Sequence, residues 1–323
     1  MIIERWVPLI GWLRTYHRGL LTRDVLAAVI VTLMLVPQAL AYAMLAGLPP
    51  EMGLYASMLP LVLYAVFGTS ASLAVGPVAV AALMTASALS SFAAPGSPEY
   101  ICAALVLAAL SGLILIAMGV LRLGFLVNFL SHPVISGFVT ASGILIAISQ
   151  LKHIFGVEAS GHNVVELLRA LLDQWQQVNV ITLLIGLGVW AYLWVCRKRL
   201  NGWLTKLGMP ASWAGLMVKA APISAVVVTT LLAWGFQLEQ RGVDLVGFVP
   251  SGLPAITLPS LDQSLWLGLL PAALLISLVG FVESVSVAQT LAAKRRQRID
   301  PNQELIALGM ANLGAGISGG SPV

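Results

Sequence analysis

Charged side chains are scarce in this sequence. Asp, Glu, Lys and Arg make up 9% of its 323 residues, against about 25% in an ordinary soluble domain, while 59% of the residues are hydrophobic. This composition excludes both a water-soluble globular protein and a disordered chain. The 17 Lys and Arg and 13 Asp and Glu residues leave a net charge of +4 that is dispersed along the chain. No basic patch results, so a soluble nucleic-acid-binding protein is excluded and we expect no nucleic-acid partner.

Cysteine and histidine are also rare, with two and four residues. Cys102 is predicted to begin a membrane-spanning helix on the outer side and Cys196 to end one on the cytoplasmic side, so that about 30 Å separate them. This distance excludes a disulfide bond between them. The four histidines are scattered and never stand four residues apart, which is a metal-site spacing on a helix. We therefore predict neither a metal nor another cofactor.

Long apolar runs fill the sequence between the few charges. Charge-free runs cover residues 25–50, 52–98, 100–121, 123–151, 174–196, 220–238 and 263–282. Nearly all of them reach the ~20 residues that cross a hydrocarbon core as a helix. With charges, Gly and Pro taken as boundaries, spans are predicted near residues 25–46, 53–67, 73–91, 100–120, 124–150, 178–196, 212–236, 264–290 and 302–318. The sequence therefore predicts an all-α polytopic membrane protein with about nine spans.

The distribution of Lys and Arg predicts the orientation in the membrane. The loops on the N-terminal side hold Arg5, Arg14, Arg18, Arg23, Arg122, Arg197, Lys198, Arg199, Lys206, Lys294, Arg295, Arg296 and Arg298. The opposite loops hold only Lys152, Arg169 and Arg241. We therefore predict a multi-pass protein of the plasma (inner) membrane with a cytoplasmic N-terminus. Residues 1–22 form a predicted amphipathic helix on the cytoplasmic surface, and residues 164–175 a second amphipathic helix in an outer loop.

Residues 74–78 interrupt the third predicted span. Pro77 has no amide hydrogen and suits the first turn of a helix, so the chain is expected to enter extended from the cytoplasm and to begin a half-helix near the midplane. The N-terminal amides and dipole of that half-helix would attract an anion without any Lys or Arg. From this segment alone, an ordinary proline kink explains the pattern equally well.

A second break follows the ninth predicted span at residues 317–323. Here too, glycine residues precede a Pro-Val pair. This segment would enter the membrane from the opposite face, as an inverted repeat requires. Gln38 precedes Pro77 by 39 residues, and Glu283 precedes Pro322 by the same 39 residues. The equal offsets favour two related halves, each with a polar residue upstream of a break.

Glu283 is the only acidic residue well inside a predicted span. An isolated carboxylate in hydrocarbon costs at least a few kcal/mol, so Glu283 is expected to face an aqueous cavity and to couple or gate transport. The alternative is a structural hydrogen bond to a neighbouring helix. Gln38 and Tyr42 stand four residues apart on one helix face and would offer an amide and a hydroxyl to the same cavity, although ordinary interhelical hydrogen bonding explains them nearly as well.

An ordered set of motifs resembles the sulfate permease (SulP) family of anion transporters over essentially the whole chain. The motifs are LVPQALAYA (35–43), LAGLPP (45–50), GLYAS (53–57), Tyr64, FGTS (67–70), VGPV (75–78), SHPVISGF (131–138), PSGLP (250–254), FVES (281–284) and NQEL (302–305). Two positions depart from the family pattern: Met52 replaces a Tyr, and Ala71 replaces a Lys or Arg. Both departures are expected to affect mainly surface contacts.

The resemblance implies a seven-plus-seven inverted-repeat transporter fold, here truncated after about nine spans. Residues 23–120 would form core-domain spans 1–4, residues 121–240 gate-domain spans 5–7, and residues 241–323 core-domain spans 8 and 9 with the start of span 10. A cytoplasmic STAS domain, common in the family, is absent from this chain, which we interpret as an N-terminal fragment or a truncated gene product.

The resemblance also implies a substrate site and a function. Family members hold the anion between the third and tenth spans, which match the residues Val75, Gly76, Pro77, Val78, Ser321, Pro322 and Val323. Gln38 and Tyr42 match first-span positions that face the anion, and Glu283 matches an eighth-span position linked to coupling. The predicted function is proton-coupled secondary active transport of sulfate or another small inorganic anion by an elevator-type core domain. The expected partners are the anion, a coupling proton or sodium ion, and the lipid bilayer. Bicarbonate or dicarboxylate transport, uncoupled exchange or channel activity, and a homodimer stay open.

Two alternatives to anion transport are a serine hydrolase and a nucleobase transporter. Residues 316–320 fit the GxSxG pattern of serine hydrolases, but no strand precedes Ser318, and His132 is expected on the opposite side of the membrane. A related nucleobase transporter shares the half-helix architecture, and the loop motifs argue against it. We expect a transporter and not an enzyme.

Overall fold

The computed structural model describes residues 6–129, 132–157, 159, 164–245, 252, 254 and 256–323. The α-helices are α1 (Leu9–Thr15), α2 (Arg18–Leu45), α3 (Pro50–Tyr55), α4 (Leu59–Phe67), α5 (Ala79–Leu89), α6 (Pro98–Val120), α7 (His132–Phe155), α8 (Val164–Asp173), α9 (Val180–Val195), α10 (Asn201–Lys206), α11 (Ala211–Gly235), α12 (Gln263–Arg295) and α13 (Pro301–Ile317). A π-helical turn over Cys196–Leu200 joins α9 to α10. No β-strand occurs in the part of the chain that the structure describes, and the all-α prediction is confirmed.

Six segments among the described residues are long and apolar enough to cross a membrane. They are Arg18–Leu45, Pro50–Phe67, Pro98–Val120, Val180–Lys206, Trp213–Gly235 and Gln263–Ala293. Each coincides with one of the nine predicted spans. The other three predicted spans correspond to α5, α7 and α13, of which α5 is a short apolar helix of 11 residues.

Helix ends follow signals that the sequence carries. Asp300 caps α13 by accepting a hydrogen bond from the Asn302 amide at 2.9 Å, with Pro301 at the first helical position, and such a pair is typical of helix starts. Asp262 caps α12 in the same way, and hydrogen bonds from the Ser264 hydroxyl and amide hold the pKa of this exposed carboxyl below its usual range.

The N-terminal segment differs from the prediction of one amphipathic helix over residues 1–22. The helix covers only Leu9–Thr15 among the described residues, and Tyr16 leaves it with extended backbone (ψ 129°). A new helix, α2, begins at Arg18 and continues into the first span without a break. A helix, α8, lies where the second amphipathic helix was predicted and buries Leu167 and Leu171, but most of the apolar residues expected on its packed face are exposed: Val165, Leu168, Leu172 and Trp175. Its place in an outer loop stays a prediction.

The chain divides into two compact units. Among the described residues, the first unit is drawn from Met1–Leu20, Gln38–Phe138 and Val249–Val323, and the second from Leu21–Pro37 and Val139–Phe248. Every predicted site residue belongs to the first unit.

The first unit is built around the packing of α6 against α13. An added Cβ at Gly112 would lie 2.8 Å from the Gly309 carbonyl oxygen, and one at Gly309 would lie 2.7 Å from the Gly112 carbonyl oxygen. Glycines at such a crossing let two membrane helices approach backbone to backbone. α4 and α12 also pack here. Together, the four helices form the core next to the two non-helical segments, residues 68–78 and 318–323.

One departure from the family pattern is buried, contrary to expectation. Met52 is only 4% exposed and packs in a hydrophobic cluster with Tyr100, so its exchange for Tyr concerns the core and not a surface contact. Ala71 is exposed, as expected.

In the second unit, Asn179 joins two distant segments. Its side chain caps α9 by accepting from the amides of Ile181 and Thr182, and it donates to the carbonyl oxygens of Arg241 and Gly242 at 3.2 and 2.7 Å. These contacts join the N-terminal end of α9 to the segment that follows α11.

Candidate substrate site

The first break is present and is longer than predicted. α4 ends at Phe67, residues 68–78 are non-helical, and α5 begins at Ala79. Val78, in extended backbone (φ −123°, ψ 147°), is the N-cap residue, and no side chain caps the first amides of α5 in the described structure. Pro77 therefore lies just before the half-helix and not in its first turn. A helix N-terminus without a side-chain cap keeps its amides free to bind an anion.

The second break is produced by a Schellman motif. Gly319 adopts a left-handed conformation (φ 76°), and the Gly320 amide donates to the Ala315 carbonyl at 2.8 Å, which is the hydrogen bond that ends such helices. Gly320 lies against the Ala56 backbone, since an added Cβ would be 2.8 Å from the Ala56 Cα. Residues 321–323 then continue without regular structure and largely buried.

This geometry also explains the GxSxG pattern. Ser318 is the C-cap residue of α13, 4% exposed, and its hydroxyl lies 3.4 Å from the carbonyl oxygens of Tyr55 and Ala315. A nucleophilic serine needs an exposed hydroxyl beside a base. In this chain the GxSxG pattern therefore marks the C-terminal end of α13.

Asn312 fixes the second break to the core. Its side chain is 2% exposed, accepts from the Val323 amide and donates to the Val323 carbonyl, both at 3.1 Å. The Val323 N–H is therefore engaged by protein and does not point at a substrate. No local pattern predicts this role, because Asn312 lies inside an apolar helix eleven residues before its partner.

Both breaks pack on one hydrophobic cluster. Val75 of the first break and Val323 of the second contact the group that contains Phe281 and Val282, the two residues before Glu283. Residues of both segments and of the Glu283 region of α12 therefore pack on one cluster, and the assignment of these segments to an anion site stays a prediction. Glu283 itself is half-buried and makes no hydrogen bond or ion pair with a described residue.

Gln38 and Tyr42 lie next to one another on α2. The Gln38 amide Nε2 donates to the Tyr42 hydroxyl at 3.1 Å. Gln38 is exposed, whereas Tyr42 is half-buried and packs against a second hydrophobic cluster, to which Ala82 of α5 and Ile276 of α12 also belong. The aromatic ring of Tyr42 thus contacts the same cluster as the half-helix, and its hydroxyl is held by Gln38.

Glu304 is a residue of this region that sequence reasoning missed. It belongs to the NQEL motif and is fully buried, accepting hydrogen bonds from Tyr64, Thr69 and Ser70. Its neighbour Gln303 donates to the carbonyl oxygens of Trp6 and Phe67, and Asn302 accepts from the Gly124 amide. Partners 178 or more positions away leave no local pattern, so only the motif itself could have drawn attention to these residues. Of the other motifs, Ser131 and most of residues 250–254 lie outside the described residues.

The chain is similar to known anion transporters. Residues 21–323 match the Sulfate permease family. Sulfate transporter 4.1, chloroplastic, of Arabidopsis thaliana is 38% identical over 320 residues, which are 96% of this chain and 44% of the plant protein. A probable sulfate transporter of Mycobacterium tuberculosis is 36% identical over 318 residues, 98% of this chain and 54% of the bacterial protein.

Solved structures share the fold. The structure of SLC26A9 superposes with a TM-score of 0.87 at 25% identity, covering 99% of this chain and 51% of that one. The transmembrane domain of a cyanobacterial bicarbonate transporter, BicA, has a TM-score of 0.76 at 24% identity, covers 95% of this chain and 75% of that one, and supports the fold alone. The chain spans about half the length of the sequence relatives that it matches.

Proposed function

Because the chain belongs to the sulfate permease family, we propose that it carries sulfate or another small inorganic anion across the plasma (inner) membrane by secondary active transport, with its N-terminus in the cytoplasm. The observation that carries the proposal is the meeting of two broken segments on one cluster beside Glu283. An anion would bind at the uncapped amides of α5, where the helix dipole favours negative charge. The second break would complete the site, and the core domain would carry the anion in an elevator-type movement.

The surroundings of Glu283 support proton coupling as part of this proposal. The carboxyl is half-buried on a membrane helix and has no cationic partner among the described residues. Carrying a multivalent anion through the low-dielectric membrane is costly, and a proton taken up by Glu283 together with the anion would reduce the charge that moves. Gln38 and Tyr42 would supply the polar contacts opposite the half-helix.

The test is sulfate uptake into proteoliposomes by the full-length protein under an imposed proton gradient. We expect an inwardly directed gradient to accelerate uptake, and Glu283→Gln to abolish this response. Glu99→Gln serves as the matched control, because Glu99 is an exposed carboxylate at the start of α6 and its loss should leave the response intact. A response that persists in Glu283→Gln would refute coupling through this residue.

The same vesicles test the substrate. Competition of labelled sulfate by bicarbonate, chloride and dicarboxylates would rank the anions, and uptake that needs an anion on the opposite side would indicate exchange. Replacing the proton gradient by a sodium gradient separates the two coupling ions. Absence of saturable uptake for every anion tested would refute the proposed function.

A further inference from the structure

Glu304 sets the position of the half-helix, although it lies outside the anion site. We propose that Glu304 is a positioning residue for substrate binding, which holds the cytoplasmic end of segment 68–78 and so fixes the depth at which α5 begins. The inference rests on the proposed function, because it assigns Glu304 a role at the anion site named there.

The carboxylate binds both sides of the turn at Gly68. Its Oε2 atom accepts from the Tyr64 hydroxyl at 2.6 Å, on the last turns of α4. Its Oε1 atom accepts from the Thr69 amide at 2.8 Å, the Thr69 hydroxyl at 2.5 Å and the Ser70 amide at 3.1 Å. Four hydrogen bonds thus converge on one fully buried side chain in the first turns of α13, and they join the end of α4 to the start of the segment.

The segment has few other contacts that could determine its position. Residues 69–77 take part in no backbone–backbone hydrogen bond in the described structure, and the amides of Ser72 and Leu73 donate only to the Ser70 hydroxyl. Val75 and Pro77 are buried, but apolar contacts are not directional and permit sliding. Apart from a longer hydrogen bond of 3.3 Å that the Asp300 amide donates to the Thr69 hydroxyl, Glu304 provides the directional contacts that specify how far the segment reaches into the membrane.

A displaced segment would displace the substrate site. The extended chain from Gly68 leads directly to the first amides of α5, so movement at Thr69 is transmitted along it. Amides that are held in place before the anion arrives bind more tightly than amides that must be ordered on binding. Loss of the Glu304 contacts should therefore weaken anion binding even where the protein stays folded.

The test compares two tyrosines that each lose one buried hydroxyl. Tyr64→Phe removes a donor to Glu304, and Tyr100→Phe removes a hydrogen bond of 2.7 Å to the Ala46 carbonyl, away from segment 68–78. Both tyrosines are nearly fully buried, so similar losses of thermal stability are expected. Only Tyr64→Phe should raise the KM for sulfate, by about threefold or more, and Glu304→Gln should raise it by about tenfold. Thr69→Val replaces Glu304→Gln should the latter fail to fold. Equal KM values for the two phenylalanine variants would overturn the proposal.

A second measurement does not depend on transport. In a background with Cys102→Ser and Cys196→Ser, an Ala74→Cys substitution places a thiol at an exposed position of the segment. We expect Tyr64→Phe and Glu304→Gln to change the rate of thiol modification about threefold or more, and Tyr100→Phe to leave it unaltered. An unchanged rate would refute the positioning role, whereas altered rates without uptake of any anion by the unmodified protein would refute the proposed function instead.

Discussion

Gly53 is the position at which the packing of α2 can be tested by a single methyl group. An added Cβ at Gly53 would lie 2.0 Å from the Ala39 carbonyl oxygen, 2.6 Å from the Ala39 carbonyl carbon and 3.1 Å from the Ala43 Cβ. Ordinary carbon–oxygen contacts are about 3.3 Å or longer. Because a Cβ has no torsion that could relieve the overlap, Gly53→Ala must push α3 and α2 apart by roughly 1 Å.

Two opposing effects determine how much Gly53→Ala changes the free energy of unfolding. Replacing a helical Gly by Ala is worth about 1 kcal/mol in helix propensity. Against this, overpacking costs about 1–3 kcal/mol and occasionally more, and this contact lies at the upper end because backbone atoms cannot change rotamer. Ala39 and Ala43 are 0% and 1% exposed and would lose packing as well. We expect a net loss of about 2 kcal/mol, which corresponds to roughly 5 °C in the apparent Tm.

The assay is thermal unfolding of purified protein in detergent, with Gly143→Ala as the control. Gly143 lies inside α7 and has no atom within 4 Å of an added Cβ, so its replacement should leave the Tm unchanged or raise it. Gly53→Ala should also weaken anion binding, because the contact holds the part of α2 that carries Gln38 and Tyr42. Equal Tm values for the two alanine variants would refute the reasoning.

Three further predictions concern the remaining contacts. Cys102 lines a cavity of about 480 Å³, whereas Cys196 is 5% exposed. In the proposed orientation, a membrane-impermeant maleimide added outside should modify Cys102 and spare Cys196; modification only from the cytoplasmic side would reverse that orientation. Asn312→Ala should remove the two hydrogen bonds to the part-buried Val323 backbone, at about 0.5–1.5 kcal/mol each, and accelerate hydrogen exchange at Val323. Unchanged exchange would contradict the role of Asn312 in holding this segment. Asn179→Ala should lower stability by about 1–2 kcal/mol, and Asn179→Asp, which keeps the cap and loses only the donors, should lower it less in the same unfolding assay.

The spans were predictable because their signal is local. Charge-free runs, Pro near helix starts and Gly at helix ends determined where α6, α12 and α13 lie to within a few residues. Pro60 at the start of α4 carries the same signal, yet the sequence prediction joined α3 and α4 into one span across the turn at residues 56–58, since the apolar run continues through it.

The breaks themselves were predictable, but their supports were not. Pro77 and Gly319 interrupt helices for reasons of backbone geometry that any sequence reader can apply. The residues that hold the broken segments in place, Asn312 and Glu304, act through hydrogen bonds to atoms that the chain brings near only when folded. Pattern and composition therefore locate a candidate site, and tertiary structure alone identifies what stabilises it.

The position of Phe281 limits how the anion selectivity of the proposed site could change. This ring is fully buried in the cluster on which both Val75 and Val323 pack, so any change of its volume acts at once on both segments of the proposed anion site. A variant that adapts one of these segments to a larger or smaller anion must therefore change residues that contact only that segment. We expect selectivity among anions to change through residues that contact one segment, while the cluster around Phe281 that both segments share stays constant.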